Sequence, residues 1–390
     1  NAINELIGAN GTTINWGSTT NTRKGIDAEM TQLVSDMNAG NVGGIFIYDC
    51  NPAYSYIDSK KFIDALIKVP VSVSFNGTMD ETTEQCKYVL PSHHWLESWG
   101  DAEPKAGYVS IIQPIINPLF KTRAYQTSLL KWSGNTTDYE TYHRNYWTAK
   151  LGGSTGMDKA IQDGVVEPAL NLAAPAIFSG ASLATAASKI AATKTGDIEV
   201  VLYQKISVGN GSQANNPWLQ ELPDPISKVT WDNYAMIGPE MAKTLLGLDV
   251  MNNQRQADAY EVHPEKPVVK ITVNGKSIEL PALIIPGLNI STIAIALGYG
   301  RQSASTDNDQ ILERTGRAAA GASKNAYPLV TTDATTYLYN SVASVVKTSE
   351  TYPLAQTQVH GFTEGRPVIY ETNLASYIID PKAVLAEPTH

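Results

Sequence analysis

The side chains with the clearest chemical potential follow one short apolar run, GGIFIYD at residues 43–49. Asp49, Cys50 and Asn51 stand at its end, where a thiolate would be well placed as a nucleophile or a metal ligand. Because no histidine lies nearby in sequence to activate the thiol, we expect Cys50 instead to be a small buried side chain. Cys86, on the inner side of a short predicted helix, is expected in the core as well.

A second candidate is the tetrapeptide Gly298-Tyr299-Gly300-Arg301. Glycine amides and an arginine can together bind an anion, so this segment could contact a phosphate. Its spacing is not that of G-x-x-x-x-G-K-S/T, and it opens no predicted helix. The motif therefore leaves phosphate binding open.

The remaining candidates are histidines and carboxylates. His93 and His94 are adjacent, but zinc needs three or four ligands and neighbours in sequence usually point apart, so we expect a loop at a strand end and no metal site. Asp49, Glu81 and Asp101 all lie near predicted strand ends and could form an acid/base pair, although their spacing does not distinguish them from surface carboxylates. No catalytic residue is assigned.

The elements that position these residues alternate between strand and helix. Apolar positions predict a helix over residues 26–37, then the strand at 43–49, a helix capped by Asp58, and a strand at 69–75. Parallel strands need such a crossover, so the first part of the chain is predicted to be doubly wound α/β. Ligands are then expected beyond the carboxyl ends of the strands.

The last third of the chain is richer in residues that favour β-strands. Two β-rich runs flank Asn274-Gly275, a strong hairpin signal, and further short strands continue to about Leu297, which predicts a small β-barrel. We place the α/β region at residues 1–195, the barrel at 196–345 and a C-terminal arm at 346–390. Prolines and glycine interrupt the apolar stretch 280–300, so it is not predicted to span a membrane.

Composition narrows the possible functions. The chain has 390 residues, 43% of them hydrophobic and 17% charged, with 29 basic and 38 acidic side chains and a net charge of −9. An acidic chain of this kind lacks the electrostatic footprint of a nucleic-acid binder. Two cysteines cannot hold an iron–sulfur cluster in this chain. Because the first residue is Asn1, we expect a piece of a longer polypeptide.

Residues 42–119 resemble the molybdopterin oxidoreductase superfamily. The resemblance rests on the order of Asn51-Pro52-Ala53 after a strand, MDETTEQCKYVLP (79–91), HWLESWGDAEP (94–104) and GYVSIIQPIINPL (107–119). It implies strand-end loops that face a pterin cofactor. NNPWLQELPDPISKVTWDN (215–233), the hairpin and the GYGR segment resemble the six-stranded, double-psi-like β-barrel that helps to clasp the dinucleotide form of that cofactor.

Within that superfamily the chain is similar to the molybdopterin-like B subunit of alternative complex III, a bacterial quinol-oxidising complex. GRAAAGASKNAYPL (316–329) and the ending from residue 364 carry this similarity. It implies a scaffold without a cofactor of its own, on the periplasmic face of the inner membrane. The implied partners are a ferredoxin-like iron–sulfur part, a multihaem cytochrome c subunit and quinol-binding membrane subunits, with the iron–sulfur clusters and haem c in those parts.

The chain departs from active relatives just before Asn51. Where they commonly have two small residues, this chain has Asp49 and Cys50, and a carboxylate there would repel cofactor phosphates by about 1 kcal/mol or more. We therefore interpret Asp49, Cys50, Asn51 and Arg301 as a vestigial pocket. Two alternatives remain. One is the C-terminal half of a working reductase whose Asn51 and Arg301 contact molybdopterin guanine dinucleotide, and the other is a periplasmic small-molecule binding module.

Overall fold

The computed structural model describes residues 2–22, 24–167, 179–192, 196–301, 316, 318–321, 323–333, 335–359 and 371–382. In the first half of the chain, the α-helices are α1 (Ala2–Leu6), α2 (Asp27–Asn38), α3 (Pro52–Ser55), α4 (Ser59–Leu66), α5 (Tyr125–Trp132), α6 (Tyr139–Lys150) and α7 (Ser154–Asp163). The strands there are β1 (Gly44–Ile47), β2 (Val71–Ser74), β3 (Tyr88–Val89), β4 (Gly100–Lys105) and β5 (Tyr108–Ile112).

The predicted strand, helix, strand unit is confirmed. β1, β2 and β3 form a parallel sheet in that order, with Phe46 opposite Val73. The Asp58 side chain caps α4 by accepting the Lys61 amide at 3.2 Å. Helices α2 and α4 bury one face of the sheet through a core that includes Met37, Ile47, Phe62 and Leu66.

The second half consists of a larger sheet with surrounding helices. Helix α8 (Leu183–Ala191) comes just before the midpoint of the chain. The helices of the second half are α9 (Pro217–Glu221), α10 (Pro239–Leu246) and α11 (Gln254–Val262), and a last helix spans Leu374–Ile379. Its strands are β6 (Glu199–Gln204), β7 (Ala235–Ile237), β8 (Glu265–Val273), β9 (Lys276–Ile284), β10 (Thr292–Leu297), β11 (Thr331–Thr332), β12 (Tyr337–Leu338), β13 (Asn340–Val342) and β14 (Ser344–Pro353).

Seven of these strands form one mixed sheet in the order β13-β6-β10-β7-β9-β8-β14. The predicted hairpin is confirmed: β8 and β9 are antiparallel, and Asn274 and Gly275 between them both have positive φ, at 49° and 81°, as a type I′ turn requires. The double-psi barrel stays a prediction, and so do the domain boundaries. β14 pairs with β8 and crosses the boundary placed at residue 345.

Parts of two earlier predictions fall outside the described residues. These are residues 317 and 322 of the segment 316–329, and residues 360–370 and 383–390 of the C-terminal arm. Among the residues that are described, no helix has the length and apolar character needed to cross a bilayer.

Candidate functional site

The carboxyl ends of β1 and β2 bring several polar residues to one edge of the parallel sheet. The Asn76 amide, after β2, donates to the Cys50 carbonyl at 3.0 Å and to Asp80 at 2.9 Å. The side-chain oxygen of Asn51, Oδ1, accepts hydrogen bonds from the Thr82 backbone amide at 3.1 Å and from the Thr82 hydroxyl at 2.7 Å. The strand ends therefore meet at one edge of the sheet, and their polar groups bind one another.

Cys50 is exposed, so the prediction of a buried side chain is wrong. Asp49, which precedes it, has a φ of 51°, and this left-handed turn directs the chain out of the strand before α3 begins. Partial desolvation first, and then the charge of Asp80, raise the pKa of the Cys50 thiol. The thiol is therefore protonated at neutral pH and is a poor nucleophile.

A buried ion pair between Glu81 and Arg301 is the centre of the site. Arg301 Nη2 donates to Glu81 Oε2 at 2.7 Å, and Arg301 Nε donates to Oε1 at 2.9 Å. The two residues are only 7% and 8% exposed. Asn51 joins them, since its Nδ2 donates to Glu81 Oε2 at 2.6 Å. The structure therefore brings two predicted pocket residues, Asn51 and Arg301, onto one carboxylate.

The rest of the Arg301 guanidinium is also occupied. Its Nη1 donates to the Gly211 carbonyl at 2.6 Å, and its plane lies over the Tyr54 ring, 4.8 Å from the centroid. Gly298 permits this arrangement, because a Cβ there would stand 2.7 Å from the Gly209 carbonyl oxygen. The GYGR segment thus closes against the loop 209–211.

Burial and pairing act in opposite directions on the pKa of Glu81. Burial alone would raise it, but the hydrogen bond and the positive charge from Arg301 outweigh that effect, and the pKa lies below its usual value. The same pairing raises the pKa of Arg301 against the effect of burial. Both groups are therefore charged, and their charges cancel locally.

These contacts fit a dinucleotide cofactor poorly. A phosphate needs free donors, whereas Arg301 and the Asn51 amide already donate to Glu81 or to a backbone carbonyl. The exposed Asp49 adds a further negative charge beside the strand end. The interpretation of Asp49, Cys50, Asn51 and Arg301 as a vestigial pocket stays a prediction, and so do the cofactor contacts that the working-reductase alternative expects of Asn51 and Arg301.

The adjacent histidines have separate structural partners. His94 Nδ1 accepts the Leu96 amide at 3.3 Å and begins the short 3₁₀ helix Trp95–Glu97, while His93 Nδ1 lies 2.7 Å from Thr122 Oγ1. No group of three or more potential metal-binding side chains occurs in the described ranges.

The loop predicted after β3 also contains a hairpin, β4 paired with β5, which turns at Gly107 with a φ of 83°.

A second cluster surrounds Asp101 in β4. The sequence indicated Asp101 only as a strand-end carboxylate, and the cluster around it was missed. Asp101 Oδ2 accepts from His143 Nε2 at 3.1 Å and from Trp147 Nε1 at 3.0 Å. Asp101 also lines a cavity of about 310 Å³ together with Tyr48, Tyr125 and Tyr139. The dense aromatic residues of α5 and α6 were the available signal, but they follow no clear helical period.

Comparison with known proteins confirms the resemblance to molybdopterin oxidoreductases. A segment of 94 residues, 23% of this chain, is 33% identical to the menaquinone reductase, molybdopterin-binding-like subunit of Nitratidesulfovibrio vulgaris strain Hildenborough. The match spans 14% of that relative's length.

No family model matches the chain. Among solved structures, acetylene hydratase from Pelobacter acetylenicus is similar, with a TM-score of 0.47 and 14% identity, over 82% of this chain and 46% of that one. A structural likeness of this size carries no argument about function.

Proposed function

We propose that this chain is a non-catalytic scaffold portion of a respiratory quinol-oxidising complex of the alternative complex III type. In this proposal it lies at the periplasmic face of the bacterial inner membrane as a peripheral subunit. It fixes a ferredoxin-like iron–sulfur part against a multihaem cytochrome c and quinol-binding membrane subunits. The sheet of the second half would then be the counterpart of the double-psi-like barrel.

The Glu81–Arg301 pair is the observation that carries this proposal. In this pair Arg301, which could otherwise bind a cofactor phosphate, donates to a carboxylate of the protein itself. The pair also joins two parts of the chain that are 220 residues apart. A rigid junction is what a scaffold needs, because electron transfer falls steeply with the distance between redox centres. The sequence similarity to a menaquinone reductase subunit supports the link to quinones in this proposal.

Metal analysis of the purified native assembly tests the proposal. Molybdenum, tungsten and iron are quantified per copy of this chain. We expect iron, from the adjoining clusters and haems, without stoichiometric molybdenum or tungsten. Stoichiometric molybdenum or tungsten would instead favour the working reductase.

A pair of variants separates the two functions further. Arg301→Met in the assembled complex should lower its thermal stability and leave its metal content unchanged, whereas in a reductase the same change would release the cofactor. Arg123→Met is the matched control, because Arg123 is exposed. We expect it to change neither quantity.

A further inference from the structure

The cavity beside β4 is acidic and aromatic. Of the described residues that line its 310 Å³, none is a lysine or an arginine, whereas Asp101 and several aromatic rings do line it. The Tyr48 and Tyr125 rings lie close together, with centroids 4.2 Å apart. The other rings of the wall are those of Tyr139, Trp95, Trp99, His93 and His94. Aromatic faces carry partial negative charge and attract cations.

Asp101 is held in place as an ionised carboxylate. His143 and Trp147 donate to its Oδ2, and the hydrogen bond from His143 is the main reason why the pKa of Asp101 lies below its usual value. His143 itself is 4% exposed. The other oxygen, Oδ1, accepts no hydrogen bond from the described residues, and the Asp101 side chain is 43% exposed. One carboxylate oxygen is therefore available to a ligand.

The charge of Asp101 extends across the cavity. Burial first, and then the charge of Asp101, raise the pKa of Tyr139 to about 12, and the same two causes raise the pKa of Tyr125. One cation already contacts a ring of the wall: the Arg144 guanidinium lies over the Trp99 ring at 4.4 Å and pairs with Glu140 at 3.2 Å. An anionic ligand would face the Asp101 carboxylate, with no lysine or arginine among the described lining residues.

We propose that this cavity binds a small organic cation, an amine or a quaternary ammonium group. Asp101 supplies the counter-charge, and Tyr48, Tyr125 and Tyr139 supply aromatic faces. The proposal is independent of the scaffold function, since it concerns a different cluster of residues from the Glu81–Arg301 pair.

Titration of the full chain with tetramethylammonium chloride tests the site, with heat and tryptophan fluorescence as readouts. tert-Butanol, a neutral molecule of similar shape, is the control ligand. We expect saturable binding of tetramethylammonium only. Asp101→Asn should weaken it about tenfold, the equivalent of about 1.4 kcal/mol, while its amide oxygen can still accept from His143 and Trp147.

Two further variants test whether binding depends on the residues of the cavity. Tyr48→Leu, at a half-exposed position where folding should tolerate the change, should weaken binding about fivefold through loss of one aromatic face. Asp158→Asn, at an exposed position on α7, should leave it unchanged. Equal weakening by Asp158→Asn, equal binding of tert-butanol, or no saturable binding would each overturn the proposal.

Discussion

At the scale of single residues, the Glu81–Arg301 pair should dominate the stability of the strand-end site. Glu81→Gln leaves a buried guanidinium without its counter-charge, so we expect the free energy of unfolding to fall by about 3 kcal/mol or more. Urea denaturation measures it. Glu140→Gln is the control, because the Arg144–Glu140 pair is exposed and such pairs contribute about 1 kcal/mol at most.

The double variant Glu81→Met with Arg301→Met refines this prediction. Since it removes both charges together, most of the stability lost in Glu81→Gln should return. A double variant no more stable than Glu81→Gln would show that hydrogen bonds to Asn51 and Gly211, rather than the charge pair, hold the site together.

Lys205 provides a pH-dependent test. Its Nζ donates to the Asp232 carbonyl at 3.1 Å and lies over the Tyr234 and Tyr299 rings. Burial lowers its pKa to about 8, although Asp224 and Asp232 act in the opposite direction. The unfolded value is about 10.4, so above pH 8 this ammonium group binds more protons in the unfolded state, and its contribution to stability rises with pH.

We therefore expect the free energy of unfolding of the unsubstituted chain, relative to that of Lys205→Met, to rise between pH 8 and 9.5 by up to about 1.4 kcal/mol per pH unit. The comparison is needed because cysteines and tyrosines whose pKa values folding raises contribute slopes of the opposite sign in both proteins. Denaturant titrations of both proteins at each pH measure the difference. The same slope in both proteins would assign it to other groups.

The residues of the strand-end site could be identified from the sequence only in part. Asn51 and Arg301 were singled out from the sequence, and the structure brings both to Glu81. Glu81 itself was seen only as one strand-end carboxylate among three. Its pairing could not be predicted, because no local spacing encodes a contact between residues 220 positions apart.

At the scale of elements, the turn after β10 depends on glycine. Gly300 has a φ of 66°, and a Cβ there would stand 2.0 Å from the Asn325 backbone nitrogen. Gly300→Ala should therefore lower the free energy of unfolding by about 3 kcal/mol or more, the range for backbone strain combined with a steric clash. Thermal and urea denaturation both report it.

Gly275→Ala is the matched control for this turn. Gly275 has a φ of 81° but open space around the position of a Cβ, so the substitution should cost only the left-handed conformation, about 1–2 kcal/mol. Equal losses in the two variants would mean that the loop containing Asn325 moves away freely and that the GYGR segment is not tightly packed.

Local signals explain which elements could be predicted. The Asp58 cap and the Asn274-Gly275 turn are each encoded within a few neighbouring residues, and both are confirmed. β4 and β14 were missed as strands because they are polar and largely exposed, so they show little of the apolar alternation that identifies a strand. Their partners β5 and β8 determine them instead.

At the scale of the whole molecule, the α/β region and the larger sheet share an interface. Tyr54, in α3, packs in the core of the larger sheet, where its ring meets Tyr327 at 5.2 Å and its hydroxyl donates to the Tyr299 carbonyl at 2.7 Å. The Lys276 ammonium also donates to the Ile57 carbonyl at 2.8 Å. The change near residue 195 from alternating strand and helix patterns to β-rich runs predicts two regions. These local patterns carry no information about the contacts between the regions.

This interface predicts how the chain unfolds. Because Tyr54 is 5% exposed and belongs to both regions, the intact chain should unfold in one calorimetric transition whose van't Hoff and calorimetric enthalpies agree. Tyr54→Ala removes one of the shared contacts, the buried ring over which Arg301 also lies, at a cost of about 3–5 kcal/mol, and should divide that transition into two. Phe62→Ala, a change inside the α/β core alone, should lower the transition temperature and keep a single transition. Two transitions in the unsubstituted chain, or two in the Phe62→Ala variant, would mean that the regions unfold independently and that the interface does not couple them.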